Sequence, residues 1–285
     1  LRKQGRRMTS QRAARVAGDW FYQLMCVGMG LIVMFPVIYA FFVSFMEPSQ
    51  IFSRDAGIIP ERWTLENYRT ALTTAPLMRF MLNSFMISAV SSIVRVLTAS
   101  LAAFAFAFMD FPGKNFLFIL VLGTFMIPGD VVLAANYQLV ARAHLINTYL
   151  GMMAIFLVSG MNIFMLRQSF KTFSSSIRDA AMVDGCSNFR FFWKILLPSN
   201  TATLLTVLIT SFMSTWNTYL WPMMVTNKKE MRTIQVGITM LNFADGNSYG
   251  PVMAASIIVL LPALLLFLVF RRQIVAGMMA GGVKE

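Results

Sequence analysis

Few side chains in this sequence could do chemistry, and they are scattered. His144 is the single histidine, and Cys26 and Cys186 are the two cysteines. Cys26 lies in an apolar run and Cys186 in a polar stretch, so neither a disulfide framework nor a metal cluster is implied. No His/Cys/Asp cluster, nucleophile elbow or carboxylate pair falls within an apolar segment, which argues against a membrane-embedded enzyme. A Gly-x-x-x-x-Gly-Lys-Ser/Thr cradle for nucleotide phosphates is also missing. Gly113-Lys114 is the nearest fragment, but Asn115 follows it and Phe108 stands where the first glycine is needed.

Two sets of residues remain. The first is Asp179, Ala180, Ala181, Asp184 and Gly185, in which paired small side chains sit between carboxylates and a glycine follows. Paired alanines leave a helix face smooth enough to lie in a partner's groove. The glycine permits a sharp turn, and the carboxylates favour a helix start and can meet partner cations. The second set is polar residues in apolar surroundings: Arg95, Asn83, Trp216 and Asn217. A charge inside an apolar span is costly and marks either a function or a bound partner. Arg95 is expected to face a transport path, where it would attract an anionic solute, or a companion chain, or else to pair with a carbonyl or acid between helices or to snorkel. Trp216 offers a platform for a sugar ring or an interfacial anchor.

The elements that position these residues are membrane spans. The 285 residues are 57% hydrophobic and 13% charged, against about 25% charged in soluble domains. Too few charges exist to coat a soluble core of this size. The net charge of +12 is dispersed between apolar runs, not gathered into a nucleic-acid groove. Spans of about 20 apolar residues are expected at Trp20–Phe45, Phe80–Met109, Asn115–Tyr137, Tyr149–Leu166, Leu204–Val225 and Val252–Phe270. Pro128-Gly129 and Asp130 interrupt the third. A basic tail, 1–19, precedes the first span, whose 27 uncharged residues (20–46) exceed the roughly 7–15 of a cleavable signal. It reads as an uncleaved anchor.

The fold class expected is therefore all-α, a polytopic membrane protein with six transmembrane helices. With the N-terminus inside, the cytoplasmic segments carry 15 Lys and Arg against 8 in the outer loops, so both termini are placed in the cytoplasm. A polar segment at about 168–202 separates the fourth and fifth spans. Ser176-Ile-Arg-Asp179 reads as a capping-box-like helix start, a short helix ends near Gly185, and a second stretch, Phe189–Leu197, ends at Pro198.

Residues 179–198, DAAMVDGCSNFRFFWKILLP, resemble the EAA loop of binding-protein-dependent ABC importer permeases. Asp179 replaces the usual Glu, and Ala202 stands where a second Pro often occurs. Pro60-Glu-Arg-Trp-Thr-Leu-Glu-Asn-Tyr68, Leu82-Asn-Ser84, Trp216-Asn217 and the ending Gly277–Lys284 are similar to the carbohydrate branch, maltose-type and MalG-like. The resemblance implies a core at 80–285 in which Asp179, Ala180, Ala181, Asp184 and Gly185 form a coupling helix for an ATP-binding subunit. It implies a second permease as heterodimer partner, two ATP-binding subunits and an extracytoplasmic solute-binding protein. It places the chain in the bacterial cytoplasmic membrane. ATP and Mg would be bound by the partner subunits, leaving this chain no cofactor and no ATPase site of its own.

In maltose-type permeases the loop matching Asn242–Gly250 reaches the binding protein, which makes Asn242, Asp245 and Tyr249 candidate contacts. Asn83, Arg95, Trp216 and Asn217 are candidates for the substrate path. An oligosaccharide is the general expectation for the solute. Asp184–Ser187 with Phe192-Trp193, and Trp216–Pro222, are also similar to glycerol-3-phosphate importer permeases. The competing class is an ion-coupled secondary transporter, which would want embedded acids and paired broken helices.

Overall fold

The computed structural model describes the backbone of residues 2–53, 57–244 and 249–282, and the side chains within 20–271 except 54–56, 125, 240 and 242–248. Among these residues the chain is helical, with no strand. The helices are α1 (Arg2–Val43), α2 (Pro48–Ile51), α3 (Glu66–Thr74), α4 (Leu77–Phe108), α5 (Lys114–Met126), α6 (Leu133–Arg142) and α7 (Tyr149–Met153). After a 3-10 turn follow α8 (Gly160–Lys171), α9 (Ser175–Val183), α10 (Asn188–Phe191), a π turn (Phe192–Leu196) and α11 (Leu197–Ser199). The chain continues in α12 (Thr201–Trp216), α13 (Leu220–Val225), α14 (Ile234–Ala244) and α15 (Tyr249–Gly282).

Among the described residues three helices are long and apolar enough to cross a membrane: Trp20–Val43, Leu77–Phe108 and Tyr249–Arg271. Two more candidates are bent pairs, Tyr149–Phe156 with Gly160–Lys171 at 50° and Asn188–Ser199 with Thr201–Trp216 at 80°. Lys114–Thr124 is shorter. The third expected span does not run through to Tyr137, because α5 stops at Met126 and Pro128–Gly129 lie in the following turn. Proline cannot supply a ladder N–H and holds the preceding residue extended, and Ile127 is extended at φ −83°, ψ 120°.

Two compact units divide the chain, one of residues 1–71 with 247–257, the other of 72–246 with 258–285. In the first unit, Asn67 Nδ2 donates to the Ser44 and Met46 carbonyls, at 3.1 and 2.7 Å, and Tyr68 and Ser44 hydroxyls pair at 2.8 Å. The Trp63 ring lies 5.4 Å from that of Phe45. The Pro60–Tyr68 stretch thus fastens the end of α1.

The second unit is organised around α4. Its inward face carries Ser84, Ser88, Ser91, Ser92, Ala99 and Ala103, all buried, small enough for α8 and α12 to approach closely. Gly160 extends this principle to α5 and α8, since a Cβ there would meet Thr124 Oγ1 and the Val121 carbonyl at 2.6 Å. The 32 residues of α4 span about 48 Å, and a cluster sits toward each end. Ile87, Met152, Trp221 and Val225 pack near one; Phe104, Phe106, Phe170, Phe191, Phe192 and Leu196 pack near the other.

Candidate functional site

The segment after α8 is built from its caps outward. α9 begins at Ser175 with Ser174 as N-cap, two residues earlier than the Ser176–Asp179 pattern indicates. The Ser174 and Ser176 hydroxyls pair with each other at 2.6 Å, so neither closes a capping box. At the other end, Cys186 N–H donates to the Ala181 carbonyl and Gly185 N–H to that of Met182, at 2.9 and 3.0 Å. This is a Schellman closure, and Gly185 holds the left-handed conformation it requires, φ 74°.

The second half of the loop departs from expectation at Pro198. The helix runs through that residue to Ser199 after widening into the π turn at Phe192–Leu196. Pro198 has no N–H to give the Lys194 carbonyl, and a π register accommodates the missing bond without ending the helix. The turn into α12 comes at Asn200. Its Nδ2 donates to the Leu196 carbonyl at 2.8 Å, and its Oδ1 accepts from Ser169 at 2.8 Å.

This loop is mounted on the end of α4. The last carbonyls of a helix lack partners, and here Arg167 Nε donates to the Phe106 carbonyl and Arg178 Nη2 to that of Phe108, each at 3.2 Å. The two guanidiniums also lie over rings, Arg167 3.9 Å from the Phe118 centroid and Arg178 5.1 Å from that of Phe108. Ala181 turns inward and is 8% exposed, within the Phe104–Phe191–Phe192 cluster. Asp179, Ala180, Asp184 and Gly185 are exposed. Beside them stand Ile177, Val183, Phe189 and Trp193, with Val183 88% exposed. The result is an apolar surface edged with carboxylates, on a helix held to the ends of α4 and α8.

The four candidate path residues are not gathered into one site. Asn83 is buried, gives Nδ2 to the Glu230 and Arg232 carbonyls at 2.9 and 3.0 Å, and accepts from the Tyr149 hydroxyl at 3.0 Å. Arg95 is buried too and binds the Phe156 carbonyl and the Thr215 hydroxyl. Trp216 is 2% exposed and stacks on Phe212 with centroids 5.8 Å apart. Only Asn217, at the C-cap of α12, is exposed.

Of the candidate binding-protein contacts, Asp245 and the Asn242 side chain lie outside the described residues. Tyr249 is exposed, with its ring 5.9 Å from that of Phe52. Sequence reasoning missed Arg178, Asn200 and the buried Trp221, whose Nε1 donates to the Gly151 and Met152 carbonyls at 3.2 Å. A cation just before a docking motif was a signal for Arg178; Asn200 and Trp221 carried none.

The family described as "Binding-protein-dependent transport system inner membrane component" matches residues 12–278. The "Arabinooligosaccharides transport system permease protein AraQ" of Halalkalibacterium halodurans is 31% identical over 269 residues, 93% of this chain and 96% of that one. The "sn-glycerol-3-phosphate transport system permease protein UgpE" of Brucella abortus is 30% identical over 257 residues, 87% of this chain and 91% of that one. A crystal structure of "a bacterial ABC transporter involved in the import of the acidic polysaccharide alginate" contains a chain that matches with a TM-score of 0.78. It is 20% identical and covers 92% of this chain and 97% of that one, which shows the fold.

Proposed function

This chain belongs to the binding-protein-dependent transport system inner membrane component family, and we propose from that premise that it is a permease subunit that carries a sugar or sugar-like solute through an ATP-driven importer. It sits in the bacterial inner membrane with a second permease, ATP-binding subunits and an external solute-binding protein. Arabino-oligosaccharides and sn-glycerol 3-phosphate, the solutes in its relatives' names, bound the expected cargo to hydroxylated molecules, neutral or anionic.

The observation that carries the reading is the mounting of α9. One edge, Ala181, is buried against the inner ends of α4 and α8, and Arg178 fastens it to the Phe108 carbonyl. The opposite edge, with Asp179, Ala180, Asp184 and Gly185, is exposed and takes the ATP-binding subunit. A push there moves α4 and α8 as a body, because packed interiors transmit displacement rather than absorb it. ATP and Mg are held by that partner, and this chain contributes no nucleotide chemistry.

The remaining assignments follow the same architecture. Six spans are formed by α1, α4, α5, the α7–α8 pair, α12 with α13, and α15, with both termini and α9 cytoplasmic. Asn217 faces the path, while Asn83, Arg95 and Trp216 shape it from behind. The region of Asn242, Asp245 and Tyr249 meets the binding protein.

Reconstitution of the four-part importer in liposomes tests this. ATP-dependent uptake is expected from the wild type and its loss from Ala180→Arg, which obstructs the docking face. Uptake by this chain alone, driven by an ion gradient, would instead establish the secondary-transporter reading.

A further inference from the structure

At the end of α12 remote from the coupling loop, the chain forms a cleft of about 460 Å³ between α13, α14 and the segment joining them. Small-molecule sites occupy about 300–1,000 Å³. Tyr219 and Met223 supply apolar area, Thr226 and Thr239 hydroxyls, Asn227 an amide and Arg232 a guanidinium. An aromatic ring beside hydroxyls, an amide and one cation is the donor set that a polyhydroxylated anion asks for.

The wall of this cleft is held from outside it. Asn83 takes up the Glu230 and Arg232 carbonyls, Ser84 Oγ accepts from Ile234 N–H at 2.8 Å, and Asn147 Oδ1 accepts from Asn227 N–H at 2.7 Å. Asn147 adopts φ 60° to do so. Three polar side chains from distant parts of the sequence therefore fix residues 227–234, more than a connection between two helices requires. Such pre-set backbone lowers the ordering cost of binding.

An approach to the cleft is marked independently. Thr210 and Ser214 on α12 and Asn217 at its C-cap lie at i, i+4 and i+7 and are all exposed, forming a polar stripe on an apolar helix that ends three residues before Tyr219. Polar stripes on membrane helices face water or a protein partner, not lipid.

We propose that this cleft is a solute subsite of the permease, selective for hydroxylated solutes bearing a phosphate or carboxylate. Arg232 takes the anionic group, Asn227 and Thr239 take hydroxyls, and Asn83 is a positioning residue behind Arg232. This rests on the permease reading and sharpens it, because it assigns part of the solute selectivity to this chain.

The test uses the complete importer in liposomes, with Cys26 and Cys186 replaced by Ser and a thiol introduced by Met223→Cys, at an exposed lining residue that gives the solute no polar contact. The rate of reaction with a charged, water-soluble maleimide is measured with sn-glycerol 3-phosphate, glucuronate or glycerol present. Either anion is expected to slow labelling at least threefold, with glycerol having little effect. Adding Arg232→Gln should abolish the protection, Arg232→Lys should keep part of it, and Thr239→Val should weaken it in a complex recovered at wild-type yield. Labelling rates indifferent to both anions, or protection that survives Arg232→Gln, overturn the subsite. A thiol that reacts only after lipid is extracted overturns it as well, and identifies a lipid headgroup as the occupant. ATP-dependent uptake by the unsubstituted importer is measured separately. Its absence sinks the permease reading, whereas intact uptake with an unprotected thiol sinks the subsite alone.

Discussion

Arg95 on α4 donates Nε to the Phe156 carbonyl, its Nη2 reaches Thr215 Oγ1 at 3.3 Å, and its guanidinium lies 5.6 Å from the Phe156 ring centroid. One turn further, Thr98 Oγ1 donates to the Leu157 carbonyl at 2.9 Å. Phe156 and Leu157 stand where the α7–α8 pair bends by 50°, so the helical ladder cannot satisfy them. In a bilayer such carbonyls must find donors within the protein. Arg95 and Thr98 supply them, and the bend is held open by side chains of its neighbour.

Arg95→Gln is therefore expected to lower the stability of the purified complex by about 1–3 kcal/mol, read as a drop in its melting temperature. Arg95→Lys should recover part of the loss, since it keeps a charged donor without the fork. Unchanged stability together with a raised KM for anionic solutes alone would return Arg95 to the transport path.

Arg178 links α9 to the end of α4 through the Phe108 carbonyl. Arg178→Met keeps much of the aliphatic stem but removes the donor. The importer should still assemble and hydrolyse ATP, while uptake per ATP falls severalfold. The ratio of transport to hydrolysis in liposomes measures this, and an unaltered ratio would deny Arg178 any part in coupling.

Val183 is 88% exposed in this chain, so Val183→Glu should leave its own fold within about 0.5 kcal/mol of wild type. Burial of the new carboxylate under the ATP-binding subunit would be costly. Co-purification of that subunit should drop at least tenfold, and undiminished recovery would place Val183 outside the contact.

Gly160 and Gly123 make a matched pair on α8 and α5. A Cβ at 160 would collide with backbone at 2.6 Å, whereas nothing lies within 4 Å of one at 123. Gly160→Val should cost about 1–3 kcal/mol by forcing the helices apart, and Gly123→Ala should be neutral or stabilise by up to about 1 kcal/mol. Membrane abundance and thermal unfolding of the two variants should diverge accordingly.

Much of this was legible in sequence because its causes are local. Long apolar runs predicted helices where α1, α4 and α15 occur, and Gly185 marked the end of a helix because the left-handed cap is a one-residue requirement. Pro198 misled, since whether a proline ends a helix or is absorbed by a π turn depends on how Phe191, Phe192 and Leu196 are packed. Asn83, Arg95 and Trp216 stood out as polar or aromatic residues in apolar surroundings. Their types did not say whether they face solute or protein.

Composition and spacing by themselves determined that this is a membrane protein with a short capped helix before Gly185, because burial and helix capping are set by residues a few positions apart. The tertiary structure alone decided that the conspicuous Arg95 is a clasp and that Arg178 is the tether to α4. It alone decided that the 227–234 segment is shaped into a cleft. Each of those depends on donors and acceptors brought together across 60 to 150 positions, and a hydrogen bond's partner is chosen by proximity in space, which no local pattern records.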